Sequence, residues 1–241
     1  MLKLANVFSN HMVLQRDKNI AVWGECDQTK VTGECNGKKV TTSVEDGRFM
    51  LYFSPMEAGG PYDMKITCDG AEVAYHDIMI GEVWFAGGQS NMELELQNSF
   101  EGAKAVEAVV DENVRYYYAP KKPFEGEELD KELAKTSWEL PTKENAGRWS
   151  AVAYYYAREL SRKLGVCVGI IGCNWGGTSA SCWMSREMLL ESDKTRSYVD
   201  EYDAIVKDQD YDAYVKEREE YIIYQTEFEK NVSHYYETCE H

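Results

Sequence analysis

Gly81-Glu82-Val83-Trp84-Phe85-Ala86-Gly87-Gly88-Gln89-Ser90-Asn91-Met92-Glu93 brings an apolar, strand-like segment (Ile78 to Ala86) to a stop at two glycines. It then sets a serine between two amides where a polar segment with helical spacing begins. A serine just past a strand and at the start of a helix has an exposed hydroxyl and a free backbone N–H. Acyl transfer needs that combination, because the N–H can hold the oxyanion that the hydroxyl's attack creates. The spacing is not the Gly-x-Ser-x-Gly elbow, since Met92 stands at the second glycine position. A Ser or Asn helix N-cap after a glycine turn fits the same residues.

A second segment strengthens the nucleophile assignment. Val166-Cys167-Val168-Gly169-Ile170-Ile171-Gly172-Cys173 is a short apolar run rich in β-branched residues, the pattern of a buried strand. It leads into Asn174-Trp175-Gly176-Gly177-Thr178-Ser179-Ala180-Ser181-Cys182-Trp183. Adjacent glycines at a strand's end let backbone N–H groups approach a ligand closely. Two such strand ends suit an open α/β sheet that binds ligand at its carboxyl edge.

Together the two motifs resemble the sialate O-acetylesterase family, a branch of the SGNH hydrolases. The matching residues are Gly81-Glu82-Val83-Trp84, Gly88-Gln89-Ser90-Asn91-Met92, Trp175-Gly176-Gly177-Thr178 and Trp183, with Phe8 to Arg16 and Val22-Trp23-Gly24 near the start. The resemblance runs from about residue 4 to Trp183. It implies Ser90 as nucleophile, with an oxyanion hole made by the N–H groups of Ser90 and of Gly176 or Gly177. It also implies an O-acetylated carbohydrate substrate, met by Gln89, Asn91, Trp175, Thr178 and Trp183, and no cofactor or metal. Two departures stand out. Ser181 occupies a position that is often acidic in the family. The later Gln-Gly-Glu and Asp-x-x-His motifs, which would supply the base and its orienting acid, are absent. None of His11, His76, His234 and His241 lies in an Asp-x-x-His context. The expectation is an N-terminal part of a longer esterase, weakly active alone, whose catalytic His and Asp come from a missing C-terminal part of the same protein.

The 241 residues carry a net charge of −16. This argues against nucleic acid or an anionic membrane as partner, since both need basic patches. No run of about 18 apolar residues is present, so no transmembrane helix is expected. Met1 to Asn6 lacks the apolar core of a signal peptide. The seven cysteines are odd in number and include no C-x-x-C, which signals neither a disulfide framework nor a zinc site. A reducing, cytoplasmic location is expected, with a secreted or periplasmic one as the alternative.

Strand-like runs separated by Asn36-Gly37, Asp46-Gly47, Gly59-Gly60-Pro61 and Asp69-Gly70 predict an N-terminal β-sandwich over 1–78. Residues 79–241 predict the N-terminal part of a three-layer α/β domain of SGNH type. Within it, a helix spans Phe100 to Val110 and a strand forms at Tyr116 to Tyr118. Pro120 to Pro141 is a surface loop. Ser150 to Leu164 is a helix with Val152, Tyr155, Tyr156, Leu160 and Leu164 on its apolar side. A helical insertion follows over 193–241, whose tyrosine stripes are expected to face the core of their own domain. They leave open a homo-oligomer contact. His76 and Asp77 are adjacent on a strand, so they point to opposite faces and cannot act as one unit. A carbohydrate-binding or interaction protein that keeps the esterase scaffold without turnover is the alternative function.

Overall fold

A computed structural model describes residues 1–109, 113–122 and 126–238, with the side chains of 233–238 excluded. Val110, Glu125, Cys239 and His241 therefore lie outside the described residues, as do the side chains of Ser233 and His234. The chain forms two units, Met1–Thr178 and Ser179–His241. Its class is mixed α/β.

In the first unit, β1 (Leu2–Leu4), β3 (Ile20–Cys26) and β6 (Arg48–Phe53) make a three-stranded antiparallel sheet. Alternation sets its inner face, which carries Phe49, Leu51 and Phe53 from β6 and Val22 from β3. A larger sheet runs β10 (Trp138–Glu139), β9 (Val114–Tyr118), β11 (Val168–Asn174), β8 (Ala71–Gly88), β7 (Gly59–Cys68), β4 (Lys30–Cys35), β5 (Lys38–Ser43), and β2 (Val13–Gln15) also pairs with β8. Val31, Met64 and Ile66 of this sheet join the same buried core as Leu51 and Phe53. Each such side chain contributes roughly 1.5–3 kcal/mol by leaving water. The hairpin turns at Asn36-Gly37 and Asp46-Gly47 have positive φ at both residues, as the tight-turn reading requires. Gly59-Gly60-Pro61, expected as a turn, instead opens β7.

Strand β8 is the spine of the unit. Its first part pairs antiparallel with β7, and residues 82–88 pair in parallel with β11. The division expected near residue 78 falls inside this one strand. Asp77 marks the change, with φ 56 and a register shift against β7. Aspartate tolerates this left-handed conformation, and the bulge re-aims the strand. Asp77 Oδ1 accepts from Arg115 Nη2 at 2.9 Å and Oδ2 meets His11 Nδ1 at 2.6 Å. Arg115 Nη1 also donates to the carbonyls of His11 and Asp77. One guanidinium from β9 thus ties the α/β strands to the sandwich strands.

Helices α1 (Ser90–Glu93) and α2 (Gly102–Glu107) follow β8; α3 (Glu127–Leu133) and α4 (Lys143–Ala146) follow β9. The expected loop Pro120 to Pro141 therefore contains α3 and β10. Acidic residues in the first turn of α3 and the Glu127–Lys131 ion pair explain the helix. Helix α5 (Ala151–Leu164) starts where Ser150 Oγ accepts the Ala153 N–H and ends at Gly165 in the left-handed conformation. Its buried face is Ala153, Tyr154, Ala157 and Ser161, while Val152, Tyr156 and Leu164 are exposed. The sequence-expected side is thus split: Tyr155 and Leu160 pack partly buried against the core, and the other three turn out. Small residues let the helix lie close to the sheet, where it packs with Trp149, Tyr116, Val168 and Ile170.

The second unit holds a short 3-10 turn, Ala180–Trp183, then α6 (Arg186–Leu190), α7 (Asp193–Val206) and α8 (Tyr211–Thr238). Ser185 and Ser192 cap α6 and α7. Tyr198, Tyr202, Tyr221, Tyr224 and Phe228 are exposed rather than turned to a core, contrary to expectation; Leu189 and Val199 are buried.

Candidate active site

At the end of β8 the backbone turns sharply. Gly88 has φ +153, and a Cβ there would sit 3.2 Å from the Met92 Cβ. Only glycine adopts this conformation without strain. The turn delivers Ser90 to the first position of α1 with its side chain exposed. Its hydroxyl donates to Gln89 Oε1 at 3.0 Å. Among the described residues, the Ser90 N–H meets no acceptor, and Gln89 makes no side-chain cap. The N-cap role that competed with catalysis in the sequence is therefore not the one Ser90 plays here.

The second loop is stitched to the first. Asn174 ends β11 in register with Gly88, and the Trp175 N–H donates to the Gly88 carbonyl at 2.9 Å. Gln89 Nε2 donates to the Thr178 carbonyl at 3.2 Å, and Thr178 Oγ1 donates to the Trp175 carbonyl at 2.7 Å. Gly176 lies beside the nucleophile, since a Cβ on it would be 3.8 Å from the Ser90 Cα. Gly177 is exposed, has φ +78, and borders open space. Ser90, Gln89, Asn91, Trp175, Gly176, Gly177 and Thr178 thus gather at one sheet edge. Trp183 belongs to the second unit, exposed on its 3-10 turn.

Two residues absent from the sequence-level site stand in this cluster. Glu93 Oε2 accepts the Gly176 N–H, and Glu93 Oε1 accepts from Lys121 Nζ. Lys121 in turn lies 5.4 Å from the centroid of the Tyr118 ring, and the Tyr118 hydroxyl donates to Asn174 Oδ1 at 2.7 Å. The Lys121 bond, foremost, and the Gly176 N–H hold the Glu93 carboxyl below the usual glutamate range against a burial penalty. Burial pulls Lys121 down, yet its bonds to Glu93 and Tyr118 outweigh that and raise it. No spacing rule pairs these residues, because their contact is made through the fold. Beside them, Tyr118, Glu95, Ser137, Glu139 and Arg148 line an open polar cleft of about 310 Å³.

His11 and His76, though outside any Asp-x-x-His context, each pair with a carboxylate. His11 pairs with Asp77, and His76 Nδ1 pairs with Asp63 at 2.9 Å. Neither serves Ser90. Asp77 and Gly88 are eleven residue steps apart along the strand, roughly 36 Å at about 3.3 Å per residue. The dyads therefore sit far down β8 from the nucleophile.

No protein-family model matches the chain. It is similar to sialate O-acetylesterase from Rattus norvegicus, 29% identical over 206 residues, covering 78% of this chain and 38% of that protein. The Mus musculus protein of the same name is 30% identical over the same shares. The Homo sapiens one is 29% identical, over 78% of this chain and 39% of its own length. The chain therefore spans about two fifths of these curated relatives. A crystal structure of a carbohydrate acetylesterase from Xanthomonas citri superposes with a TM-score of 0.71 at 32% identity, over 81% of this chain and 45% of that one.

Proposed function

We propose that this chain, which belongs to the sialate O-acetylesterase family, carries the nucleophile and the oxyanion hole of an esterase that removes O-acetyl groups from sugars. The observation that carries this is the exposed Ser90 hydroxyl, set after a glycine turn and beside the Gly176-Gly177 turn. Ser90 Oγ attacks the acetyl carbonyl carbon, the carbonyl electron pair moves onto oxygen, and backbone N–H groups hold that oxyanion. The alkoxide of the sugar leaves as its hydroxyl, and water then releases acetate from Ser90. Gln89, Asn91, Trp175 and Thr178 are the residues we assign to the sugar, with the cleft at Tyr118 and Arg148 beside them.

The Ser90 proton needs a base, and His11 and His76 are too far away. In our reading an imidazole supplied from outside residues 1–178 takes it. The test is acetate release from an O-acetylated sugar by the protein as expressed from its gene and by residues 1–241 alone. The former should turn over and the latter should be slower by at least about 10³-fold, since an unassisted serine is a weak nucleophile. No turnover by either, with sugar binding intact, would favour a non-catalytic binding protein.

A further inference from the structure

Glu93 is a charged group at the one place in the site where a second anion is to develop, and the oxyanion mechanism does not use it. Resting on the esterase reading above, we propose that Glu93 is the positioning residue of the oxyanion hole, holding the Gly176 N–H on its own carboxylate so that the Gly177 N–H is the donor presented, with the Ser90 N–H, to the acyl oxygen.

Three observations lead there. The Gly176 N–H is already spent on Glu93 Oε2. Its Cα side is filled as well, since a Cβ on Gly176 would come within 2.4 Å of that oxygen. Gly177 is the opposite case. Its φ is +78, nothing beyond its chain neighbours lies within 4 Å of its Cβ position, and among the described residues no acceptor stands on its N–H. A donor serves an oxyanion hole only if it is unoccupied and rigidly aimed. Glu93 supplies the aim by fixing the preceding residue from within α1, the helix that begins with Ser90 itself, so nucleophile and donor are set by one element.

Lys121 completes the device. A bare carboxylate beside a developing oxyanion would repel it. Lys121 Nζ on the other Glu93 oxygen makes the pair neutral overall, and the Tyr118 ring and its bond to Asn174 hold that lysine at the end of β11. The opposite assignment, with the Gly176 N–H as the donor, makes Glu93 a plug that must leave before catalysis. The two assignments differ in sign: removing a positioning residue slows the reaction, whereas removing a plug speeds it.

The first measurement is independent of turnover. In ¹⁵N-labelled protein the Gly176 amide proton should lie far downfield and titrate with the Glu93 carboxyl below the usual glutamate range, and Glu93→Gln should abolish that titration. A Gly176 amide indifferent to pH and to Glu93→Gln overturns the bond. The second is kinetic, with an O-acetylated sugar and the protein as expressed from its gene. Glu93→Ala should lower kcat about 10- to 100-fold with KM little changed, because a misplaced group costs up to on the order of 10²-fold. Glu93→Gln should recover part of the loss, since its amide oxygen still accepts the Gly176 N–H. An unchanged or raised kcat in Glu93→Ala refutes the positioning role. If that variant does not fold, the Glu93→Gln spectrum and kcat decide. Ser90→Ala is the separate control: if it stays active, the esterase assignment of Ser90 fails whatever Glu93 does. If it is dead while Glu93→Ala is fully active, only the positioning role fails.

Discussion

Gly88 shows how much of the site rests on single backbone positions. Its φ of +153 is the glycine region, and a methyl group there meets Met92 at 3.2 Å. Gly88→Ala should therefore destabilise the protein by about 1–3 kcal/mol, the usual cost of a strained backbone residue. Urea unfolding monitored by far-UV circular dichroism measures it, and a midpoint equal to wild type would show that the turn relaxes freely. The reactive residues were legible at this scale for a related reason. The glycines before Ser90 and the Gly176-Gly177 pair mark places where only backbone N–H groups and a small side chain fit, and such positions leave a mark in the sequence. Glu93 and Lys121 leave none. The bond from Gly176 to Glu93 crosses 83 residues, and in the sequence Glu93, two residues from Glu95, looks like any solvated polar surface.

Among the elements, β8 does the most, because one continuous strand serves both the sandwich and the α/β sheet. Its bend depends on Asp77, held by Arg115 and His11. Burial raises the Asp77 carboxyl, but the His11 and Arg115 bonds outweigh it and leave it below the ordinary aspartate value of 3.8. A folded-state value below the unfolded one adds stability above pH 3.8, and that stability is lost as pH falls through the lowered value. Asp77→Asn keeps a residue that tolerates positive φ but removes the charge. It should cost about 1–3 kcal/mol at pH 7, since Arg115 is left buried beside a neutral partner. The gap to wild type should close on acidification below 3.8. Equal stabilities at pH 7, or a gap unmoved by acid, would contradict the clamp. Strands and hairpin turns were legible because alternation and Asn-Gly or Asp-Gly pairs are local signals. The face of α5 was not. Large residues at helical spacing suggested one side, but the sheet accepts the side with Ala153 and Ala157 because close approach outweighs side-chain size. The loop from Pro120 hid α3, which has no side-chain cap and whose charge pattern is diluted by prolines around it.

At the scale of the whole molecule, two buried clusters share β8, β9 and β11. One centres on Phe53, Leu51 and Ile66, the other on Trp149, Tyr116 and Tyr154. The cluster packing fixes the carboxyl ends of β8 and β11 side by side, and that adjacency is what makes a serine and a glycine pair into a site. The net charge of −16 offers a diffusing anionic substrate no long-range attraction, so recognition falls to the local polar groups at the sheet edge. The account stands or falls on the Ser90 hydroxyl. The most direct measurement is peptide mapping by mass spectrometry after the protein, as expressed from its gene, reacts with a fluorophosphonate. Attack displaces fluoride and leaves the phosphonyl group on the attacking oxygen. The result expected is a single adduct on the peptide that contains Ser90, absent from Ser90→Ala and suppressed by an O-acetylated sugar. A stable adduct on another residue, or undiminished labelling of Ser90→Ala, would contradict it.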